Sequence, residues 1–206
     1  PATTYSYMPI VAGGTSLMYN LKIAGKQVTN LRLSGEVIAK IFTGAITNWN
    51  DPAIQADNPA LAMPDKSITP VVRSDGSGTS AQFTLWMSSQ FPSIWTRGMT
   101  SQFPSLSGAF KAQSGSLGVA GYVSQNYGEG AITYVEYSYA LKSGFPVAKV
   151  LNKAGYYVEP PYQSVAVALM GAAINSDLTQ NLDGVYNNAD PRTYPMSSYS
   201  YMIVPT

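Results

Sequence analysis

Ile68-Thr69-Pro70-Val71-Val72-Arg73 runs directly into Ser74-Asp75-Gly76-Ser77-Gly78-Thr79-Ser80 and then into a stretch carrying Phe83, Trp86 and Met87. The first segment reads as a short apolar strand and the second as a glycine-rich turn. The third reads as a helix whose Phe83 and Trp86 fall on one face and serve the core. A strand that turns tightly into a helix is the building unit of layered α/β architecture. It is also a geometry suited to an oxyanion. The first N–H groups of a helix have no partner inside it, and the helix dipole is positive at that end. Ser77, Gly78 and Thr79 would open this helix, with two hydroxyl donors added to the backbone amides. Gly76 and Gly78 let a ligand approach the main chain, and Arg73 supplies a two-pronged cation. A plainer alternative is a turn that only caps the helix, with Arg73 held in a structural ion pair to Asp75. A nucleotide-binding P-loop is excluded, because no lysine lies within the turn.

Working outward, Tyr7 to Leu21 reads as strand, a Gly13-Gly14 break where backbone approaches backbone, and strand again. Ser34 to Gly44 has a capping serine, Glu36 in the first turn, and apolar Val37, Ile38, Ile41 and Phe42, which predicts a short amphipathic helix. Trp49 reads as a packing anchor in a turn, and the proline-rich stretch up to Pro64 as an irregular surface loop. Downstream, Ser114 caps a helix carrying Leu117, Val119, Ala120 and Val123, and Ala131 to Tyr137 is a β-rich run. Val165 to Ile174 reads as one more helix and Tyr199 to Val204 as a final strand. Alternation of strand-like and helix-like pieces before residue 140 favours an α/β lobe over a sandwich or a bundle.

Composition narrows the function classes. The 206-residue chain is 45% hydrophobic, enough for a sizeable core, yet only 11% charged with a formal net charge of +1. It therefore has no basic field to hold a nucleic-acid backbone. It contains no histidine and no cysteine, so a Ser-His-Asp triad, a Cys-His pair and a histidine or thiolate zinc site cannot be built from it. No apolar run approaches the ~18 residues needed to cross a bilayer. No nucleophile sits beside a base in the Arg73 to Ser80 turn, and the sequence points to binding, with no enzyme chemistry and no cofactor.

The wording of several segments goes further. Val72 to Ser80 resembles the phosphate loop of the phosphate-binding, PstS-type solute-binding proteins of ABC importers. In order along the chain, four other segments are similar to the same family: Pro9 to Gly14 with Tyr19-Asn20-Leu21, Ile41 to Pro52, Gly130 to Tyr137, and Tyr194 through Pro205. The resemblance implies a periplasmic-binding-protein-like (type II) α/β fold in which two lobes close on a dehydrated phosphate. Residues 1–20 would be strand and hinge from the first lobe, 21–137 the second lobe with the anion loop, and 138–206 the return to the C-terminal part of the first. It implies ligand contacts from Arg73, Ser77, Gly78 and Thr79, with Asp75 orienting the arginine and Gly76 supporting the turn. The implied partners are inorganic phosphate and a membrane permease, and the implied location is extracellular, at the cell surface or periplasmic. The family's N-terminal first-lobe segment has no counterpart here, so one complete lobe and part of the other are expected. The missing donors would come from that segment or from a second chain. The turn at Ser114 to Gly118 departs from the family's wording, and capping is the expected role of Ser114 and Ser116. An anion-binding or adhesive module that kept the fold and changed its ligand stands as the alternative.

Overall fold

The computed structural model describes residues 4–206. The chain runs through β1 (Tyr5–Tyr19), the small hairpin β2 (Lys22–Ile23) and β3 (Lys26–Gln27), β4 (Arg32–Leu33), α1 (Gly35–Phe42), α2 (Pro52–Asp57), β5 (Thr69–Arg73) and α3 (Gly78–Gln90). It continues through β6 (Lys111–Gln113), α4 (Gly115–Ser124), β7 (Ala131–Glu136), α5 (Tyr137–Ser143), β8 (Lys149–Leu151) and β9 (Tyr157–Val158). It ends with α6 (Tyr162–Leu169), β10 (Ala173–Ile174), β11 (Gln180–Asn181), α7 (Asp183–Tyr186) and β12 (Ser197–Pro205).

The main sheet has the order β12-β1-β7-β5-β6. β5 lies parallel to β6 and β7, and β1 is antiparallel to both of its neighbours. Alternation along each strand sorts side chains to two faces. Leu17, Tyr19, Val72, Ile132 and Tyr134 join the large core cluster, while Met18, Val71, Ala131 and Val135 join a smaller one with Val119 and Val123 of α4. This is the layered α/β arrangement expected from the sequence. Phe83 and Trp86 point from α3 into the large cluster, where Phe83 stacks on Tyr134 at 4.6 Å and meets Phe42 edge-on at 4.9 Å. Residues on both sides of position 137 share this cluster, Val150, Val165 and Val185 among them together with residues of α1 and α3.

Four expectations change. Gly13-Gly14 does not break the strand. β1 is continuous, and the pair marks where it exchanges partners, since Gly14 faces Ser197 of β12 and Thr15 faces Glu136 of β7. The close approach there comes from side chains and not from backbone: a Cβ on Gly14 would lie 3.1 Å from Pro160 Cβ and 3.3 Å from Val165 Cγ2. The helix expected over Val165–Ile174 sits earlier and ends at Leu169, and Ala173–Ile174 forms a strand instead. Gly171 packs there against the backbone of Gly184, where a Cβ would meet the carbonyl oxygen at 2.3 Å, and that contact draws the chain out of the helix. The loop before Pro64 contains α2, which begins with Asp51 accepting from Ala53 N at 2.8 Å and with proline at the first helical position. Ser34 precedes α1 but makes no side-chain cap. Trp49 is buried and donates its Nε1–H to Gly130 O at 3.0 Å, a packing anchor as expected.

Trp86 is 3% exposed, so Trp86→Ala should lower unfolding free energy by about 3–5 kcal/mol. Urea denaturation checks this, and a change below about 1 kcal/mol would mean that α3 does not depend on this contact.

Candidate functional site

The site begins at the end of β5. The Arg73 backbone N–H donates to Tyr134 Oη at 3.2 Å, and the same hydroxyl lies 2.6 Å from Ser80 Oγ in the first turn of α3. One buried tyrosine on β7 thus pins both the strand that brings the arginine and the helix that follows. Burial pushes the Tyr134 hydroxyl above its ordinary pKa, so it stays protonated in this role. Between the two pinned points, Ser77 N donates to Ser101 O at 2.9 Å. Ser77 itself is extended and caps α3, its Oγ accepting from Thr79 N at 3.1 Å and Ser80 N at 3.2 Å. The cap occupies the oxygen's lone pairs and leaves the hydroxyl proton free to donate. The N–H of exposed Gly78 has no partner among the described residues.

Arg73 is held from one side by Asp75. Its Nε donates to Oδ1 at 2.7 Å and its Nη2 to Oδ2 at 2.5 Å, while Nη1 lies 3.4 Å from Ser116 Oγ. Asp75 Oδ1 also accepts from Gly115 N at 3.0 Å. The arginine hydrogen bonds, followed by the Gly115 amide, hold the Asp75 carboxyl well below the usual carboxylate range. The same pairing raises Arg73 above its ordinary value. A guanidinium carries five N–H donors, and with three of them directed to Asp75 and Ser116, one on Nη1 and one on Nη2 remain without a partner among the described residues. The ion pair of the plainer reading is formed, and it leaves one edge of the guanidinium open.

Arg73, Gly76, Ser77, Gly78 and Thr79 all line one open cleft of ≈ 480 Å³. Across it run Gly13 to Thr15 of β1 and Ser198 to Tyr201 of β12. Asp75 is not part of the lining. Ser116 stands behind the arginine, and Ser114 makes no side-chain cap to α4. Sequence reasoning missed Gln82 and Glu136, which also line the cleft. Gln82 had a usable signal, since it lies four residues after Gly78 on the same helix face. Glu136 caps α5, accepting from Ser138 N at 3.2 Å. Among the described residues there is no group of three or more acidic or other metal-ligating side chains that could hold a metal ion. No helix there is long and apolar enough to cross a membrane.

Residues 2–206 match a PBP superfamily domain. The chain belongs to that family. A phosphate-binding protein PstS of Pasteurella multocida is 36% identical over 201 residues, covering 95% of this chain and 55% of that protein. PstS3 of Mycobacterium bovis is 33% identical, covering 96% of this chain and 52% of its own length. The chain thus spans about half the length of the curated relatives it matches. Among solved structures, a high-affinity periplasmic phosphate-binding protein bound with phosphate superposes with a TM-score of 0.72 at 20% identity, covering 98% of this chain and 58% of that one. A phosphate-binding protein from Stenotrophomonas maltophilia gives 0.63 at 21%, with 98% and 55% covered. These likenesses bear out the periplasmic-binding-protein-like α/β fold read from the sequence, present here in part.

Tyr134→Phe removes the hydroxyl that accepts from Arg73 N and pairs with Ser80. The expected cost is about 1–3 kcal/mol, because a backbone donor is left without a partner. Chemical denaturation measures it, and an unchanged midpoint would show that the hydroxyl does not pin the loop.

Proposed function

We propose that this chain is the anion-binding part of an extracytoplasmic inorganic phosphate-binding protein that serves an ABC-type importer or senses phosphate. The observation that carries the reading is the free edge of Arg73 beside the unpartnered Gly78 N–H at the start of the 13-residue α3. A cation locked in orientation, a positive helix end, and the hydroxyls of Ser77 and Thr79 form a set of donors aimed at one cleft. A tetrahedral oxyanion accepts at every corner and matches such a set. Relatives that are phosphate-binding proteins agree with this ligand. The process is capture and release, with no bond made or broken.

The relatives are about twice as long as this chain, and the proposal includes a further first-lobe segment that would complete the cleft. The outer part of β1 and β12 form a two-stranded ribbon with Tyr5, Met8, Ile10, Val11, Met202 and Ile203 exposed. Neither outer edge of the ribbon has a ladder partner among the described residues. A lone two-stranded ribbon is marginal in water, and a covering segment would bury both its apolar faces and the open side of the cleft. In this arrangement residues 4–20 are strand and hinge from the first lobe, 21–137 carry the anion loop, and 138–206 lead back, residues 1–3 of the first segment lying outside the described residues. Since α6 and α7 share the core of α1 and α3, the crossing itself is made by β12. Closure from that side supplies the donors still needed for tight binding, whether the segment is part of the same polypeptide or a second chain.

Calorimetric titration of the full-length protein with phosphate tests the reading. Arg73→Ala should weaken binding by at least about tenfold, the equivalent of one charge-assisted hydrogen bond. Asp75→Asn should weaken it far less, since the amide oxygen still accepts one hydrogen bond from the arginine. Arg73→Ala with native affinity would remove the arginine from the site, and loss of binding in Asp75→Asn alone would make the aspartate a direct ligand.

A further inference from the structure

Two side chains that line the cleft carry an enclosed polar atom with no hydrogen-bond partner among the described residues, Gln82 on α3 and Tyr201 on β12, and of these only Gln82 lies on the helix that presents the anion donors. Gln82 sits one turn after Gly78 on α3, and helical side chains lean back towards the N-terminus. Its amide is therefore carried over the turn where the anion donors converge, and Gln82 lines the same cleft as Arg73, Ser77, Gly78 and Thr79. The amide oxygen is fully enclosed and has no hydrogen-bond partner among the described residues. The nitrogen is not enclosed and forms no hydrogen bond to a described residue, so Nε2 is the open end of the group. An enclosed, unpaired amide oxygen is rare in native proteins and calls for a reason. An amide that turns its oxygen inwards and its two N–H donors towards a cleft of donors has one.

We propose that Gln82 is a further ligand-contacting residue, donating from Nε2 to an oxygen of the bound oxyanion. The inference rests on the oxyanion reading of the cleft given above. Glu136, the other polar residue that sequence reasoning missed, does not compete for this role. Its carboxylate is engaged by the N–H and hydroxyl of Ser138 and carries the charge an anion avoids. Gln82 is neutral, unpaired and placed on the element that already presents the anion to the backbone.

The test is a phosphate titration of the full-length protein carrying Gln82→Met, Gln82→Glu or Arg73→Ala, with the melting temperature of each ligand-free variant recorded beside it. Gln82→Met keeps the length of the side chain and removes the amide, so affinity should fall by about tenfold, as for one hydrogen bond to a charged group. The melting temperature should not fall. Gln82→Glu places a carboxylate against the anion and should weaken binding more than Gln82→Met. Native affinity in Gln82→Met overturns the proposal. So does native or tighter binding in Gln82→Glu, because the amide would then have faced the ligand with its oxygen. A fall in melting temperature without a fall in affinity also overturns it, since the role would be packing. Native affinity in Arg73→Ala would instead sink the oxyanion reading, which separates the two failures.

Discussion

Asp75 takes two hydrogen bonds from Arg73 on one side of the guanidinium and a third from the Gly115 amide. Those three bonds tie the end of β5, the turn before α3 and the start of α4 into one unit. Their consequence for binding is orientation. A free arginine loses rotamer freedom when it closes on a ligand, whereas one already forked to a carboxylate has met that cost in the folded state. The negative charge of Asp75 opposes an incoming anion, but it lies behind the guanidinium and outside the cleft lining. On the proposed reading, the arginine's free edge would face the ligand first.

The rest of the fold delivers this unit to the right place. Tyr134 has its ring in the aromatic cluster of Phe42, Phe83 and Phe103 and its hydroxyl at the site. Packing of the core and placement of the Arg73-to-Ser80 loop are thus two ends of one side chain. β1 links the loop to the opposite wall, because the strand that pairs with β7 through Thr15 to Tyr19 continues outward to pair with β12. A glycine at position 14 lets Pro160 and Val165 approach that crossing closely.

The parts of the structure that were legible in the sequence are those set by local chemistry. The strand to Arg73, the capping role of Ser77, the helix with Phe83 and Trp86 inward, and the aspartate at the arginine all follow from residues a few positions apart. Tertiary contacts account for the misses. The end of α6 depends on Gly171 meeting Gly184, which no local pattern announces. β12 reaches the cleft only once the sheet order is known, whereas Gln82 was readable from its spacing to Gly78 on one helix face. α2 is different: Asp51-Pro52 is a helix start that was readable, and the surrounding prolines masked it. Ser116 was expected to cap a helix, and its hydroxyl instead lies behind Arg73.

The most direct test of the central claim is a crystal structure of the full-length protein with phosphate bound. The geometry described here predicts phosphate oxygens at about 2.7–3.0 Å from the free edge of Arg73 and from Gly78 N, the spacing of charge-assisted hydrogen bonds. Asp75 should still be forked to the arginine. A phosphate bound elsewhere in the cleft, or an arginine that leaves Asp75 to reach it, would contradict the account.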